Sequence, residues 1–270
     1  HRSFHTDVRL RRWLVCKMPS QTIVIPVMGG LAACLAPLTS LCSVGADETI
    51  FLENEAISVE WLHQESFDDD DWQASWVVES QGPSVEAIDG QLQIRPVDDN
   101  RQEAGVTVWY RESLPADMVV RTVASTEATV ENNACNLNFF SHAREADGSP
   151  LLFGRSGLYK DYHQIPNYIF TFTGGVTPGW ARARLNPGFN LISDCQGVRS
   201  EPGNRYTFFI VISGPHIRYY LNGELIHDLA VQDPLPGGWF GLRSWFSSVN
   251  FESVEIGRLL EIESLQPVVQ

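Results

Sequence analysis

The sequence lacks the signatures of several large enzyme classes. It contains no Gly-x-Ser-x-Gly elbow, no phosphate-binding loop and no dinucleotide fingerprint. Only two cysteines, Cys135 and Cys195, follow residue 46, and they lack the spaced ligand pairs of a zinc site. These absences argue against nucleotide, nicotinamide and zinc chemistry, so we expect no cofactor. Because Cys135 would share a strand face with Leu137 and Phe139, two buried thiols are favoured over a disulfide.

Sustained helical periodicity is also scarce after Asp47, and there is neither an internal repeat nor a Pro/Ser/Gly-rich linker. Short alternating runs instead recur between turn signals. The sequence therefore predicts an all-β fold, a jelly-roll sandwich of two antiparallel sheets. We expect one domain over residues 47–260 and a loose tail over residues 261–270. The best single turn is Asn222-Gly223, which suits a type I′ hairpin. The clearest strand candidates are GQLQIRP, GVTVWYRE, MVVRTVAST, CNLNFFSHA, NYIFTFT, WARARLN, RYTFFIVIS, HIRYYLNGELIH, GWFGLRSW and VNFESVEIGRL.

Residues 1–46 are typical of a secretion leader. They hold five basic residues and one acid near the start, followed by an uncharged stretch from Thr22 to Leu41. Two cleavage sites compete: small residues precede Asp47, whereas LAAC, ending at Cys34, matches a lipobox that would acylate this cysteine. Either site predicts export to the periplasm or the extracellular space. Proline and glycine interrupt the apolar stretch, which argues against a retained membrane span.

Positive charge is scarce, since the formal net charge is −14. Removing residues 1–46 takes away a net of four positive charges and leaves −18. A field of this sign repels polyanions, so nucleic acid is disfavoured as a partner. Arginines that lie close together in such an acidic chain are therefore candidates for binding an anionic group.

The alternation predicts which side chains share a strand face. In WARARLN, Ala181 and Ala183 point one way while Arg182, Arg184 and Asn186 point the other. By the same count, two further strands carry mixed polar and aromatic faces. Their members are Asn136, Asn138, Phe140 and His142 on one strand and Trp239, Arg243 and Trp245 on the other.

Two segments, YHQIPNYIFTFTGG and RARLNPGF, resemble the signature of the YesU-like family. That family is a domain of unknown function among concanavalin A-like lectin/glucanase folds and is associated with rhamnogalacturonan-utilisation loci. The resemblance covers most of residues 55–258. It implies a two-sheet jelly roll, a carbohydrate ligand and an exported setting, but brings no catalytic set with it.

Sugar binding on such a sandwich needs aromatic platforms and planar polar groups. The candidate platforms are Trp109, Tyr162, Tyr168, Trp239 and Trp245. Arg182 and Arg184, two residues apart on one strand face, suit a carboxylate or sulfate, with Asn138, Asn186 and Arg243 as further binding candidates. The alternative is core packing for the aromatic residues and pairing with surface acids for the arginines.

Proton chemistry is predicted at Tyr162 and His163, with His142 as a second candidate. Abstraction of the proton beside a uronic carboxylate requires a base, and a cation that neutralises the carboxylate stabilises the developing enolate. We therefore expect an acidic oligo- or polysaccharide as the partner and β-elimination or dehydration as the reaction. Structural roles for both histidines stay open.

Two other functions are weighed. A lectin-like binding module would use the same face without turnover. A glycoside hydrolase needs paired carboxylates, and the Glu-x-Asp-x-x-Glu strand common in jelly-roll glucanases is missing. The run Asp68–Asp71 suits a structural calcium ion, although four consecutive acids are more often a solvated loop.

Overall fold

The computed structural model describes residues 47–95, 105–127 and 134–265. Two antiparallel sheets pack face to face, which confirms the predicted all-β sandwich. The predicted leader, including the lipobox cysteine, lies outside the described residues. Within them, no helix is long and apolar enough to cross a membrane.

The larger sheet has the strand order β1-β2-β16-β7-β12-β13-β14, with β5 also pairing with β16 and β4 pairing with β5. Its strands are β1 (Asp47–Leu52), β2 (Glu55–Glu65), β4 (Ser84–Ile88), β5 (Gln91–Arg95), β7 (Met118–Glu127), β12 (Arg205–Ser213), β13 (His216–Leu221), β14 (Glu224–Ala230) and β16 (Ser248–Ser264). Asn222 and Gly223 turn β13 into β14 with φ values of 52° and 84°, so the predicted hairpin is confirmed. The predicted tail is wrong for residues 261–264, which continue β16 against β2.

The smaller sheet has the order β11-β10-β9-β8-β15-β6-β3. Its strands are β3 (Trp76–Ser80), β6 (Gly105–Tyr110), β8 (Leu137–Ala143), β9 (Asn167–Thr173), β10 (Trp180–Asn186), β11 (Asn190–Gln196) and β15 (Trp239–Trp245). Short 3₁₀ turns occupy Trp72–Ala74 and Tyr159–Tyr162.

The core fills the space between the sheets with alternate residues of both. Ala181 and Ala183 of the smaller sheet are buried there, on the face opposite Arg182 and Arg184 as the alternation predicted, together with Phe170 and Phe172. Cys135 and Cys195 are buried and do not form a disulfide. Because one set of side chains is committed to this core, the opposite set of the smaller sheet faces outward and is available to a site.

Candidate functional site

The outward face of the smaller sheet carries one line of polar residues that crosses every strand. Register places each member opposite the next on a neighbouring strand, which brings their side chains together on one face. In sheet order this polar row consists of Asp194, Arg182, Thr171, Asn138, Arg243, Thr107 and Glu79. Its members come from seven separate stretches of sequence, so only the sheet assembles them.

A parallel apolar row lies two residues further along the strands. It consists of Ile169, Phe140, Gly241, Trp109 and Val77, with Arg184 at its β10 end. Residues 151–165, which we call the covering loop, pack on this row through Leu151, Tyr162 and Ile165. A side chain at Gly241 would begin 2.7 Å from the Trp109 ring, so glycine is needed there. The covering loop hides the apolar row and the Thr107–Glu79 end of the polar row, whereas Arg182, Thr171, Asn138 and Arg243 of the polar row line a cleft.

Glu79 anchors the covering loop from beneath. This buried carboxylate accepts hydrogen bonds from Trp109 Nε1 at 2.9 Å and Tyr162 Oη at 2.5 Å. It also accepts two from the loop backbone, Gly154 N at 2.6 Å and Arg155 N at 2.9 Å. Four donors occupy about four acceptor positions of a carboxylate, so Glu79 is fully engaged in holding the loop.

A cleft of about 310 Å³ opens over the polar row between the covering loop and the turn after β10. Its lining residues are Asn136, Asn138, Tyr159, Thr171, Thr173, Thr177, Trp180, Arg182, Arg184, Phe189, Arg243 and Trp245. Three arginines and no carboxylate contribute to this lining within the described residues. The cleft lining is therefore positively charged, although the chain as a whole has a net charge of −14.

Arg243 is the most unusual of the three arginines. It is 1% exposed, its guanidinium lies 4.1 Å from the centre of the Tyr159 ring, and its Nε has no hydrogen-bond partner. It makes no ion pair with any carboxylate in the described part of the chain. Burial lowers the pKa of Arg243 to about 10. A buried cation without an anion is costly, which points to a partner that arrives from outside.

Asn138 fixes one side of the Arg243 guanidinium. A guanidinium only donates, so the satisfied arrangement turns the Asn138 amide oxygen toward Arg243 Nη1 at 3.1 Å, with the Asn136 amide, 2.6 Å away, turned so that its nitrogen donates to the same oxygen. The Asn138 amide nitrogen then donates to Thr171 Oγ1 at 3.1 Å. The polar row is thus hydrogen-bonded internally at its centre, and this orients the arginine.

The two arginines of β10 differ in what they hold. Arg182 pairs with Asp194 at 3.1 Å and lies over Trp180, its guanidinium carbon 4.1 Å from the ring centre. Arg184 lies 4.0 Å above the Phe189 ring and donates to the Phe189 carbonyl at 3.1 Å, with no ion pair among the described carboxylates. The hypothesis that the arginines pair with surface acids therefore fits Arg182. The charge of Arg184 is not neutralised by a described carboxylate and is available to a ligand in the cleft.

Tyr159 is the tyrosine that reaches the cleft, and the sequence-based prediction missed it. Burial raises the pKa of Tyr159 and dominates, although the charges of Arg243 and Arg184 and a hydrogen bond with Thr171 lower it. His163 stands behind Tyr159 and Phe189, with ring centres 4.8 Å and 4.2 Å away. Burial, Arg243 and Arg184 lower the pKa of His163, so its ring is neutral at neutral pH.

Several predicted site residues lie elsewhere. The prediction for Tyr162 is wrong as to position, because its ring is fully buried on Trp109 and Phe140 and its hydroxyl binds Glu79. Burial and Glu79 raise the pKa of Tyr162, so it holds its proton. Trp109 is likewise buried beneath the covering loop and cannot be a platform. Of the predicted platforms, Trp245 lines the cleft.

Three further residues that were predicted to bind sugar are also buried. Tyr168 packs in the core and its hydroxyl accepts from Leu235 N at 2.9 Å. Trp239 is 9% exposed and donates to the Arg111 carbonyl at 3.0 Å. Asn186 is 1% exposed and accepts from Phe189 N at 2.7 Å, so it shapes the turn that presents Phe189 and is not part of the cleft lining.

His142 is also structural in placement. Its φ of 58° interrupts the strand alternation, and its ring nitrogens meet Ser141 Oγ at 2.7 Å and the Ala116 carbonyl at 3.0 Å. Burial lowers the pKa of His142 to about 4. It is therefore a neutral, satisfied histidine outside the cleft.

No group of three or more metal-ligating side chains converges within the described residues. Asp68–Asp71, the stretch considered for calcium, is exposed. Its four carboxylates form no such group.

Comparison with solved structures supports the fold. A Bacillus subtilis protein of unknown function with a galectin-like fold superposes with a TM-score of 0.65 at 18% identity, covering 74% of this chain and 97% of that one. The endo-β-1,3-glucanase of Pyrococcus furiosus gives 0.56 at 12% identity, covering 79% and 99%. The lumenal domain of VIP36, solved with Ca²⁺ and Man3GlcNAc, gives 0.53 at 10% identity, covering 74% and 89%. At these identities the likeness shows a concanavalin A-like sandwich.

A search among curated sequences found no significant match. The profile of the family described as domain of unknown function DUF6250 matches residues 101–254, which is more than half of the chain. That range includes β6 to β12, the covering loop and β15, and hence every residue that lines the cleft. The chain belongs to the DUF6250 family.

Proposed function

We propose that the cleft binds an acidic carbohydrate and that Arg243 and Arg184 receive its carboxylate. The observation that carries the proposal is Arg243, a buried cation with no carboxylate partner among the described residues, held in place by Asn138. Arg184 adds a second cation, which has no ion pair with any carboxylate that the structure describes. Trp245 and Tyr159 supply aromatic surface for the apolar side of a sugar ring.

A carbohydrate is favoured over a simple anion by the shape and lining of the cleft. Threonine hydroxyls and an asparagine amide alternate with aromatic rings, which suits a ligand that has both hydroxyl groups and apolar faces. Proteins of the same fold include a glucanase and a domain solved with a bound mannose-containing glycan. Export of the protein and membership of the YesU-like group remain predictions that agree with this ligand class.

Binding is tested with uronic acid oligosaccharides and their neutral counterparts by titration calorimetry. Arg184→Gln removes one charge-assisted contact, so we expect affinity for the acidic sugar to fall about tenfold or more. Arg258→Gln is the matched control. The substitution removes the same net charge, but Arg258 pairs with Glu60 on the other sheet. Equal losses in both variants, or equal affinity for neutral sugars, would contradict the proposal.

β-Elimination at the same cleft is a second candidate function, favoured by the contact of Tyr159 with Arg243 and by the charge of Arg184, which also acts on Tyr159. In this reaction the proton beside the carboxylate leaves with a base, its electron pair forms the carbon–carbon double bond, and the glycosidic oxygen departs and takes a proton. The two arginines neutralise the carboxylate and so stabilise the enolate. A glycosidase would need two carboxylates in the cleft, and none of the described residues that line the cleft is an aspartate or a glutamate.

Elimination is followed by ultraviolet absorbance of the new conjugated double bond. Because burial raises the pKa of Tyr159 above its ordinary value of about 10, we expect a base role for this residue to give a rate that is still climbing with pH at that value. Tyr159→Phe should lower the rate by about 100-fold or more. The control is Tyr219→Phe, since the Tyr219 hydroxyl is buried in the core without a hydrogen-bond partner. Sugar binding without new absorbance would leave a lectin-like module.

A further inference from the structure

A second cleft of about 320 Å³ adjoins the first. It is lined by Leu158, Tyr159, Lys160, Arg243 and Trp245. Three of these residues, Tyr159, Arg243 and Trp245, also line the first cleft. The two clefts therefore meet over the buried guanidinium of Arg243 and form one longer surface.

Lys160 gives the second cleft a positive charge of its own. It is one of only two lysines in the sequence, the other being Lys17, and its side chain is exposed. It makes no ion pair with a carboxylate in the described residues. The neighbouring Asp161 carboxylate is engaged with the backbone amide and hydroxyl of Ser156. Lys160 is therefore available to an anion at this end.

The cations occupy two places on the joined surface. Arg184 and Arg243 both line the first cleft, where the charges of both act on Tyr159 and His163. Lys160 lies beyond Arg243, in the second cleft. Positive charges thus recur along the joined surface, and a ligand that meets them all must carry more than one anionic group.

Building on the proposed function, we propose that the ligand is an oligosaccharide with acidic groups on at least two units. One acidic unit occupies the first cleft over Arg243 and Arg184, and the chain continues past Tyr159 and Trp245 to place a second acidic unit beside Lys160. The site therefore selects acidic oligomers over acidic monosaccharides.

The test compares galacturonate with its dimer and trimer, and guluronate with its dimer and trimer, by titration calorimetry on the full chain. We expect an oligomer of one series to bind about tenfold more tightly than its monomer. Lys160→Gln should lower oligomer affinity by about three- to fivefold, as for an exposed charge, and leave monomer affinity within about twofold. Arg258→Gln, with the same change in net charge, should alter neither.

The outcomes separate the two proposals. If monomers bind and depend on Arg184 but oligomers bind no more tightly, the two-unit ligand is wrong and the acidic sugar site stands. Equal effects of Lys160→Gln on monomer and oligomer also overturn the two-unit ligand. If no acidic sugar in either series binds, the proposed function fails, and the two-unit ligand fails with it.

Discussion

Arg243→Met is expected to weaken the binding of acidic sugar strongly while making the protein more stable. Methionine replaces the long side chain with one of comparable length and without charge, so the buried site no longer contains an uncompensated cation. We expect the free energy of unfolding to rise by about 1–3 kcal/mol. Affinity for the acidic sugar should fall by about 100-fold, because the charge at the junction of the two clefts is gone.

The same substitution at Arg121 is the matched control. Arg121 on β7 binds Glu48 at 2.9 Å and Glu255 at 2.7 Å, so its charge is compensated inside the protein. Arg121→Met leaves two carboxylates facing each other and should lower the free energy of unfolding by about 1–3 kcal/mol, with sugar affinity unchanged. Urea unfolding and calorimetry measure both quantities.

The opposite signs at the two arginines are the diagnostic result. A purely structural Arg243 would behave like Arg121, and its loss would destabilise the fold. If Arg243→Met lowers stability by about 2 kcal/mol or more, or leaves sugar affinity intact, then Arg243 is a structural group and the acidic ligand loses its main support.

The fold was predictable because strand alternation is a local property. In WARARLN the alanines enter the core and the arginines face outward, as the period of two requires. The Asn222-Gly223 hairpin was visible for the same reason, since the turn chemistry lies within two residues. The strands β1, β2, β3, β4 and β11 were not among the clear candidates, because partial burial gives them a weaker pattern.

The site was only partly predictable because it depends on register between distant strands. Arg182, Arg184, Arg243, Asn138 and Trp245 were predicted and do line one cleft. That Arg182, Asn138 and Arg243 lie in one polar row with Glu79 follows from the strand pairings of the smaller sheet, and no local pattern of sequence encodes those pairings. Glu79 in particular lies 83 residues from Tyr162, its buried partner.

The choice between Tyr159 and Tyr162 shows where alternation fails. Both belong to a 3₁₀ turn, in which residues three apart project to the same side, so both face the sheet. Tyr162 packs on the apolar row and is buried, whereas Tyr159 lies over Arg243 and lines the cleft. Only the position of the loop over the sheet separates their environments. The prediction for His142 was wrong for a related reason. Its positive φ breaks the strand alternation on which that prediction depended.

Removal of the Glu79 carboxylate is expected to have the largest effect on stability. Glu79→Ala leaves the buried Trp109 N–H and Tyr162 O–H without an acceptor, together with the amides of Gly154 and Arg155. Each unsatisfied buried donor costs about 1–3 kcal/mol, and water can reach the two backbone amides. We therefore expect the free energy of unfolding to fall by about 3–5 kcal/mol, measured by urea unfolding.

Glu79→Ala should also weaken sugar binding, although Glu79 does not line the cleft, because the covering loop carries Tyr159 over Arg243. The direct readout is amide hydrogen exchange, which should quicken at Gly154 and Arg155 while the core strands keep their order of protection. Glu79→Gln should not restore the loop, since an amide nitrogen would face donors where the carboxylate accepted. Glu252→Ala is the control, because Glu252 forms an ion pair with the exposed Arg205, so that its loss should cost less than about 1 kcal/mol. Slow exchange at both loop amides in Glu79→Ala would show that apolar packing alone holds the covering loop. In that case Tyr159 is positioned by its contacts with Phe140 and Phe189 and not by the buried carboxylate.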